Sequence, residues 1–137
     1  MISLMLLTQG DIGTALIDAA EHMLGHRPPL LAAIAANNAE SPEQLAAKIK
    51  QRLDELDEGQ GVLMLADIYG ATHTNMARQF LRKDKVEMIT GVNLPMLIRA
   101  LNYRKLRLTE LIDKALAGGA GGIVCAISTT NPVEIGR

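Results

Sequence analysis

The sequence predicts an α/β fold with a doubly wound, mostly parallel sheet. Short apolar runs alternate with helical patterns along the 137 residues. The runs are nearly continuous rather than alternating, as expected for strands that helices cover on both faces. Strands linked through helices form right-handed crossover units. The predicted strands are Ile2–Thr8, Leu30–Ala36, Val62–Ala66, Val86–Thr90 and Ile123–Ile127.

The first predicted helix follows the first strand and ends at Gly25. Its apolar stripe consists of Ile12, Leu16, Ala20 and Met23. His22 and His26 are four positions apart, as in some metal sites, but Gly25 separates them and no third ligand is evident. We therefore expect no metal site and interpret both histidines as surface residues.

The second helix has the clearest start. Ser41 is the predicted N-cap, Pro42 occupies the first helical position and Gln44 closes a capping box. Its apolar stripe consists of Leu45, Ile49, Leu53 and Leu56. Three further helices are predicted, marked by Met76, Ala77, Phe80 and Leu81, by Pro95–Tyr103 and by Thr109–Ala117.

The glycine-rich segment 118–122 is predicted to be a flexible joint before the last strand. Asn131–Arg137 has the composition of a tail, so we expect one domain over residues 1–130. Tyr69 and Met96 are interpreted as packing residues.

Composition excludes several function classes. Fourteen basic residues balance fifteen acidic ones, whereas a nucleic-acid groove needs clustered basic charge. No apolar run is long enough to span a membrane, and no signal peptide is evident. The single cysteine, Cys125, favours a reduced cytoplasmic protein. We expect no cofactor, because the glycine spacing of the dinucleotide-binding motif and the lysine of a P-loop are missing, and aromatic residues are few.

Two loops could carry chemistry, because ligands of open α/β sheets bind beyond the carboxyl ends of the strands. One is Thr8–Asp11, and the other is Asp67–Asn75. In a flavodoxin-like strand order both loops face one crevice. Asp67 ends an apolar strand, where an ionised carboxylate needs a partner.

The second of these loops has features of an anion site. Gly70 permits a tight turn, and Thr72 is predicted to be the N-cap of the next helix. That places His73 and Asn75 in a first turn whose free amides favour an anion. A plain helix cap and a surface histidine are the alternative interpretations.

These residues resemble a known family. Gly61–Asp67 is followed by Ile68–Thr72 and Asn75, then by Gly91–Leu97, which is similar to a G-x-N-x-P-M-L segment. The chain thus resembles, over Ile2–Ile127, the enzyme IIA domain of the mannose/fructose/sorbose-type bacterial phosphotransferase system (PTS). Arg99–Arg104 resembles its stand-alone proteobacterial branch.

The resemblance implies a homodimer that exchanges a C-terminal antiparallel edge strand, here Gly122–Ser128. It also implies that a histidine after the first strand takes a phosphoryl group from the phosphocarrier HPr. The group then passes to an enzyme IIB, or its presence regulates other proteins. The carboxylate matching Asp67 orients that histidine, and Gly10, Gly70, Ala71, Thr72, His73 and Asn75 would surround the phosphate.

The chain departs from the family at the acceptor, where it has Gln9 instead of histidine. A glutamine amide is not nucleophilic at nitrogen, but it can donate a hydrogen bond to Asp67. His73 stands where the family commonly has proline. We therefore expect a regulatory or inactive form, native or engineered, that binds an HPr-like carrier and a IIB or regulatory protein.

Two alternatives stay open: an active phosphocarrier that uses His73, and a domain that senses an anion or metabolite. We expect His73 to take no phosphoryl group from HPr, because it would lie on the rim opposite Gln9 while Asp67 bonds the Gln9 side chain. Whether the chain counts as an enzyme depends on which hypothesis holds.

Overall fold

The computed structural model describes residues 1–127 and contains a parallel sheet of four strands. These strands are β1 (Ser3–Gln9), β2 (Leu31–Ala36), β3 (Val62–Ala66) and β4 (Val86–Thr90). Their order is β2-β1-β3-β4, and every pairing is parallel. The predicted doubly wound sheet is confirmed, and β1 and β3 are its adjacent central strands.

Five α-helices accompany these strands in the described part of the chain. They are α1 (Ile12–Leu24), α2 (Pro42–Leu56), α3 (Thr72–Ala77), α4 (Leu94–Asn102) and α5 (Leu108–Gly121), and a 3₁₀ turn, Arg78–Phe80, follows α3. The capping box predicted for α2 is present: Ser41 Oγ accepts a bond from Gln44 N–H at 3.1 Å, and Gln44 Oε1 accepts one from Ser41 N–H at 2.9 Å. Gly25, in the left-handed conformation, ends α1 as predicted. No helix in residues 1–127 combines the length and the apolar composition needed to cross a bilayer.

The sheet separates two apolar cores. Leu4 and Leu6 of β1 point to one core, shared with α1, α4 and α5, while Met5 and Leu7 point to the other, shared with α2. Because both faces of the sheet are covered, every second residue of a strand is as apolar as its neighbours. This explains why the strands appear in the sequence as continuous apolar runs.

The buried face of α1 differs from the predicted stripe. Gly13, Ile17 and Ala20 are buried, whereas Ile12 and Met23 are 50% and 62% exposed. The cause is a close approach at Gly13, where a Cβ atom would lie 3.1 Å from Thr8 Oγ1. The helix therefore turns its glycine, not Ile12, towards the sheet.

The prediction of a flexible joint at residues 118–122 is wrong, because α5 continues through Gly121. A Cβ atom at Gly118 would lie 2.5 Å from Arg99 Cβ, and one at Gly119 would lie 2.7 Å from Met96 Cε. Asn93 Nδ2 also donates a hydrogen bond to Gly119 O at 3.0 Å. These glycines allow α4 and α5 to pack at close range.

The predicted last strand is also not observed, since residues 123–127 are irregular and exposed. The predicted tail, Asn131–Arg137, and residues 128–130 lie outside the described residues. Within those residues β3 is the one strand that pairs with β4, which otherwise has only an isolated antiparallel bridge between Arg82 and Val86.

Arg104 connects three segments of the fold. Its side chain is buried, and Nε donates to Ile2 O at 2.8 Å. The terminal nitrogens donate to Pro29 O at 2.6 Å and Leu30 O at 2.7 Å. The guanidinium thus holds together the starts of β1 and β2 and the turn between α4 and α5, and burial lowers its pKa.

Candidate functional site

The two predicted loops meet at the carboxyl edge of the sheet. Gln9 N–H, at the end of β1, donates a hydrogen bond to Asp67 Oδ2 at 2.8 Å. Asp67 directly follows β3, which is paired with β1. The parallel register therefore brings together residues that are 58 positions apart in the sequence.

Asp67 also bonds His73, and this corrects the prediction that the carboxylate would bond the Gln9 side chain. Asp67 Oδ1 lies 2.6 Å from His73 Nε2 and accepts a bond from Ile68 N–H at 2.9 Å. Only 5% of the His73 side chain and 15% of the Asp67 side chain are exposed, so His73 is not on the rim either. The loop turns at Gly70, with φ of 84°, and returns the first turn of α3 to the end of β3.

The electrostatics of this pair are set by several opposing contributions. Burial alone would raise the pKa of Asp67, but the hydrogen bonds from Gln9 N–H, His73 and Ile68 N–H outweigh burial and lower that pKa. The carboxylate is therefore ionised at neutral pH. An ionised carboxylate can only accept hydrogen bonds, so Nε2 of His73 carries its proton.

The other ring nitrogen of His73, Nδ1, has no hydrogen-bond partner among residues 1–127. Only 5% of the side chain is exposed, but His73 lines a cavity beside the two loops. With the proton on Nε2, Nδ1 presents a lone pair.

The loop after β1 is held by its backbone and by Thr8. Thr8 Oγ1 accepts a bond from Gly13 N–H at 2.8 Å, and Gly10 N–H donates to Ala36 O at 2.8 Å. Gly10 has φ of 54°, a conformation that disfavours residues with a side chain. These contacts leave the Gln9 side chain exposed at the end of β1.

The start of α3 differs from the prediction by one residue. Ala71, not Thr72, is the N-cap, because Ala71 is the last residue in the extended conformation, and it provides no side-chain cap. Thr72 is the first helical residue and is exposed, and Thr74 Oγ1 donates to Ala71 O at 2.9 Å. Asn75 Nδ2 donates to Gly70 O at 3.4 Å, so this side chain supports the turn.

A cavity of about 190 Å³ adjoins the two loops. Gln9, Thr72 and His73 line it, but the other predicted phosphate-binding residues, Gly10, Gly70, Ala71 and Asn75, do not. The remaining lining residues come mainly from the loop after β2 and were not predicted: Asn37, Asn38, Glu40 and Ser41. The rule that ligands bind beyond strand ends would have identified that loop too, since β2 pairs with β1.

Glu40 contributes a paired charge to this cavity. Lys48 Nζ lies 2.6 Å from Glu40 Oε2, and the hydrogen bond between them lowers the pKa of Glu40. The pair neutralises the carboxylate. In the described part of the chain, no three His, Cys, Asp or Glu side chains are grouped as metal ligands.

Large apolar side chains are exposed on the Asp67–Asn75 loop and at the start of α1. Ile68 is 58% exposed and Tyr69 is 72% exposed. The prediction that Tyr69 is a packing residue is therefore wrong, whereas Met96 is buried as predicted. Ile12, three residues after Gln9, is 50% exposed.

The sequence profile described as "PTS system fructose IIA component" matches residues 3–116 of the chain. The fructose-specific EIIA component of the PTS of Bacillus subtilis strain 168 is 34% identical over 119 residues, 85% of this chain and 81% of that protein. The mannose-specific EIIAB component of Escherichia coli K12 is 32% identical over 127 residues, 89% of this chain but only 38% of that longer protein. The mannose/sorbose-specific IIA subunit of Enterococcus faecalis has the same fold, with a TM-score of 0.82, 21% identity and coverage of 95% of this chain and 97% of that one.

Proposed function

The chain belongs to the family of PTS fructose IIA components, and on that premise we propose that it acts in sugar transport or its regulation by binding partner proteins while carrying no phosphoryl group on Gln9. Its partners would be an HPr-like phosphocarrier and a IIB or regulatory protein. The chemistry of glutamine is the main support, because an amide nitrogen whose lone pair is delocalised is no nucleophile.

The observation that carries the proposal is the Gln9–Asp67 backbone bond of 2.8 Å. This bond, together with the Thr8–Gly13 bond, keeps both loops in a defined conformation although the family's acceptor side chain is missing. A partner that recognises the shape of the unphosphorylated site could therefore still bind the surface that the two loops form. Such a protein would present this surface to its partners without a phosphoryl group at position 9.

The exposed apolar side chains support a role in binding. Ile68 and Tyr69 belong to the Asp67–Asn75 loop, and Ile12 is the first residue of α1, directly after the Thr8–Asp11 loop. Exposed aromatic and branched apolar residues beside a polar site are typical of protein interfaces. We expect the HPr-like partner to contact these three residues.

Binding can be measured by calorimetry with purified HPr and with a IIB protein. Tyr69→Ala should weaken binding of HPr about tenfold or more, as for a buried interface aromatic. Leu116→Ala is the matched control, because Leu116 is also a large exposed apolar residue but lies on α5, outside both loops. If neither HPr nor any IIB protein binds the unaltered chain, the proposal is wrong.

We further propose a homodimer in which the segment 123–127 of each chain covers the edge of β4 in its partner. An uncovered strand edge promotes uncontrolled association. Ile123 and Ile127 are 78% and 64% exposed, which is unfavourable for a monomer and suits a strand that is buried on pairing. The proposed location is the cytoplasm, where the exposed Cys125 would remain a thiol.

A further inference from the structure

We propose that His73 Nδ1 is a phosphoryl acceptor site, so that the chain keeps an acceptor imidazole on Asp67 although position 9 has lost one. This inference rests on the proposed family role, and it concerns a residue that the family pattern does not use. The sequence favoured the opposite expectation, on the ground that Asp67 would bond the Gln9 side chain. The observed Asp67–His73 distance of 2.6 Å removes that ground.

The geometry orients the His73 imidazole for nucleophilic attack through Nδ1. The bond from Nε2–H to Asp67 fixes both the tautomer and the ring orientation, and it leaves the lone pair on Nδ1. An imidazole oriented by a carboxylate is the usual arrangement of an activated histidine. Among residues 1–127 Nδ1 has no hydrogen-bond partner, whereas a nearly fully buried histidine with a purely structural role more commonly has both nitrogens bonded.

The step balances without a further reactant. The lone pair on Nδ1 attacks the phosphorus of an N-phosphorylated donor, a new N–P bond forms, and the donor N–P bond breaks with its electron pair returning to the donor nitrogen. The proton on Nε2 remains in place. Positive charge grows on the His73 ring during attack, and the ionised Asp67 carboxylate stabilises this charge.

The cavity provides space for the incoming group. Its volume is about 190 Å³, and His73, Gln9 and Thr72 line it. The Gln9 amide and the Thr72 hydroxyl can both donate hydrogen bonds to phosphoryl oxygens. Gln9 and Thr72 are exposed, so the group would enter between them. Gln9 would then serve as a binding residue for the phosphoryl group that it cannot itself accept.

The test uses the full chain with His22→Gln and His26→Gln, which leaves His73 as its single histidine. Both replaced residues are exposed, so the fold should be preserved. This variant is incubated with phosphoramidate, a small N–P donor, and separately with enzyme I, HPr and phosphoenolpyruvate. We expect a mass gain of about 80 Da that is lost in acid. The phosphorus should be assigned to Nδ1 by NMR.

Two further variants in the same background complete the test. His73→Gln should show no gain with either donor. Asp67→Asn should react about 10- to 100-fold more slowly and give a mixture of ring isomers, because the tautomer is no longer fixed. The isomer ratio would not respond to a merely structural role of Asp67.

The proposal is overturned if neither donor adds mass to the single-histidine chain, or if the phosphoryl group is found on Nε2. Reaction with phosphoramidate alone supports the acceptor site and identifies the donor as a small molecule. Since that donor needs no HPr, a failure of the proposed HPr binding is distinguishable from a failure of the acceptor site.

Discussion

Asp67 Oδ1 and His73 Nε2 lie 2.6 Å apart, and the same carboxylate accepts the backbone N–H of Gln9 through Oδ2. One side chain therefore connects the end of β1, the end of β3 and the first turn of α3. With the bond from Ile68 N–H, the carboxylate has three hydrogen-bond partners. Its loss should affect both stability and the shape of the site.

Asp67→Asn should lower the free energy of unfolding by about 1–3 kcal/mol at pH 7, since bonds to a charged group are lost. The folded state lowers the pKa of Asp67, so the unfolded chain binds more protons near that pKa. The stabilisation by ionised Asp67 is complete above the ordinary carboxyl pKa of 3.8. It disappears as the pH falls through the lower pKa that Asp67 has in the folded state. Urea unfolding at several pH values should therefore show the difference between the two proteins shrinking in acid.

The control for that experiment is Asp54→Asn. Asp54 bonds Lys50 at 2.9 Å, but both side chains are more than 60% exposed. This exchange should change stability by less than about 1 kcal/mol. An equal loss of unfolding free energy in both variants would show that the Asp67 bonds stabilise the fold no more than an exposed ion pair does.

Gly118→Ala should destabilise the fold by about 1–3 kcal/mol, because its Cβ atom would lie 2.5 Å from Arg99 Cβ. Gly121→Ala is the matched control in the same helix, since a Cβ atom there meets nothing within 4 Å. It should be neutral or stabilising by up to about 1 kcal/mol. Thermal unfolding of both variants tests whether Gly118 allows α5 to pack closely against α4. Equal changes in the unfolding temperature would contradict that explanation.

Gln9→His should make position 9 phosphorylatable, because Asp67 and the surrounding loops are already in place. Combining it with His73→Gln removes competition between two imidazoles for one carboxylate and isolates the new site. Incubation with enzyme I, HPr and phosphoenolpyruvate should then add about 80 Da. Gln9→Asn in the same background should gain nothing, and an unreactive Gln9→His variant would mean that more than the acceptor is missing.

Deleting residues 123–137 should abolish the soluble dimer, because the β4 edge would lose its proposed covering strand. The deletion begins after Gly122, which packs against Pro95 and ends α5. Light scattering measures the outcome. A truncated chain that stays folded, soluble and dimeric would contradict the proposed strand exchange.

The parallel sheet and most helix boundaries could be predicted from the sequence because their signals are local. Continuous apolar runs identified β3 and β4, and Ser41 with Gln44 identified the start of α2. The meeting of Gln9 and Asp67 also followed from topology, since parallel strands place their carboxyl ends at one edge.

The errors arose where tertiary contacts override local signals. Gly118 and Gly119 appear flexible in sequence, but they are helical because α4 lies directly against them. The partner of Asp67 was assigned from the family's pattern, while the turn at Gly70 places His73 nearer. Sequence spacing alone does not determine which of two side chains reaches a shared carboxylate.

Arg104 makes hydrogen bonds that can form only late in synthesis. Its guanidinium bonds Ile2 O across 102 positions of sequence, and it also bonds Pro29 O and Leu30 O. The carbonyl groups at the starts of the first two strands therefore accept hydrogen bonds from a residue that leaves the ribosome after all four strands have emerged. The sheet can pair earlier, but a chain that stops before Arg104 leaves Ile2 O and Pro29 O without their guanidinium donors, while Leu30 O keeps the bond from Leu4 N–H.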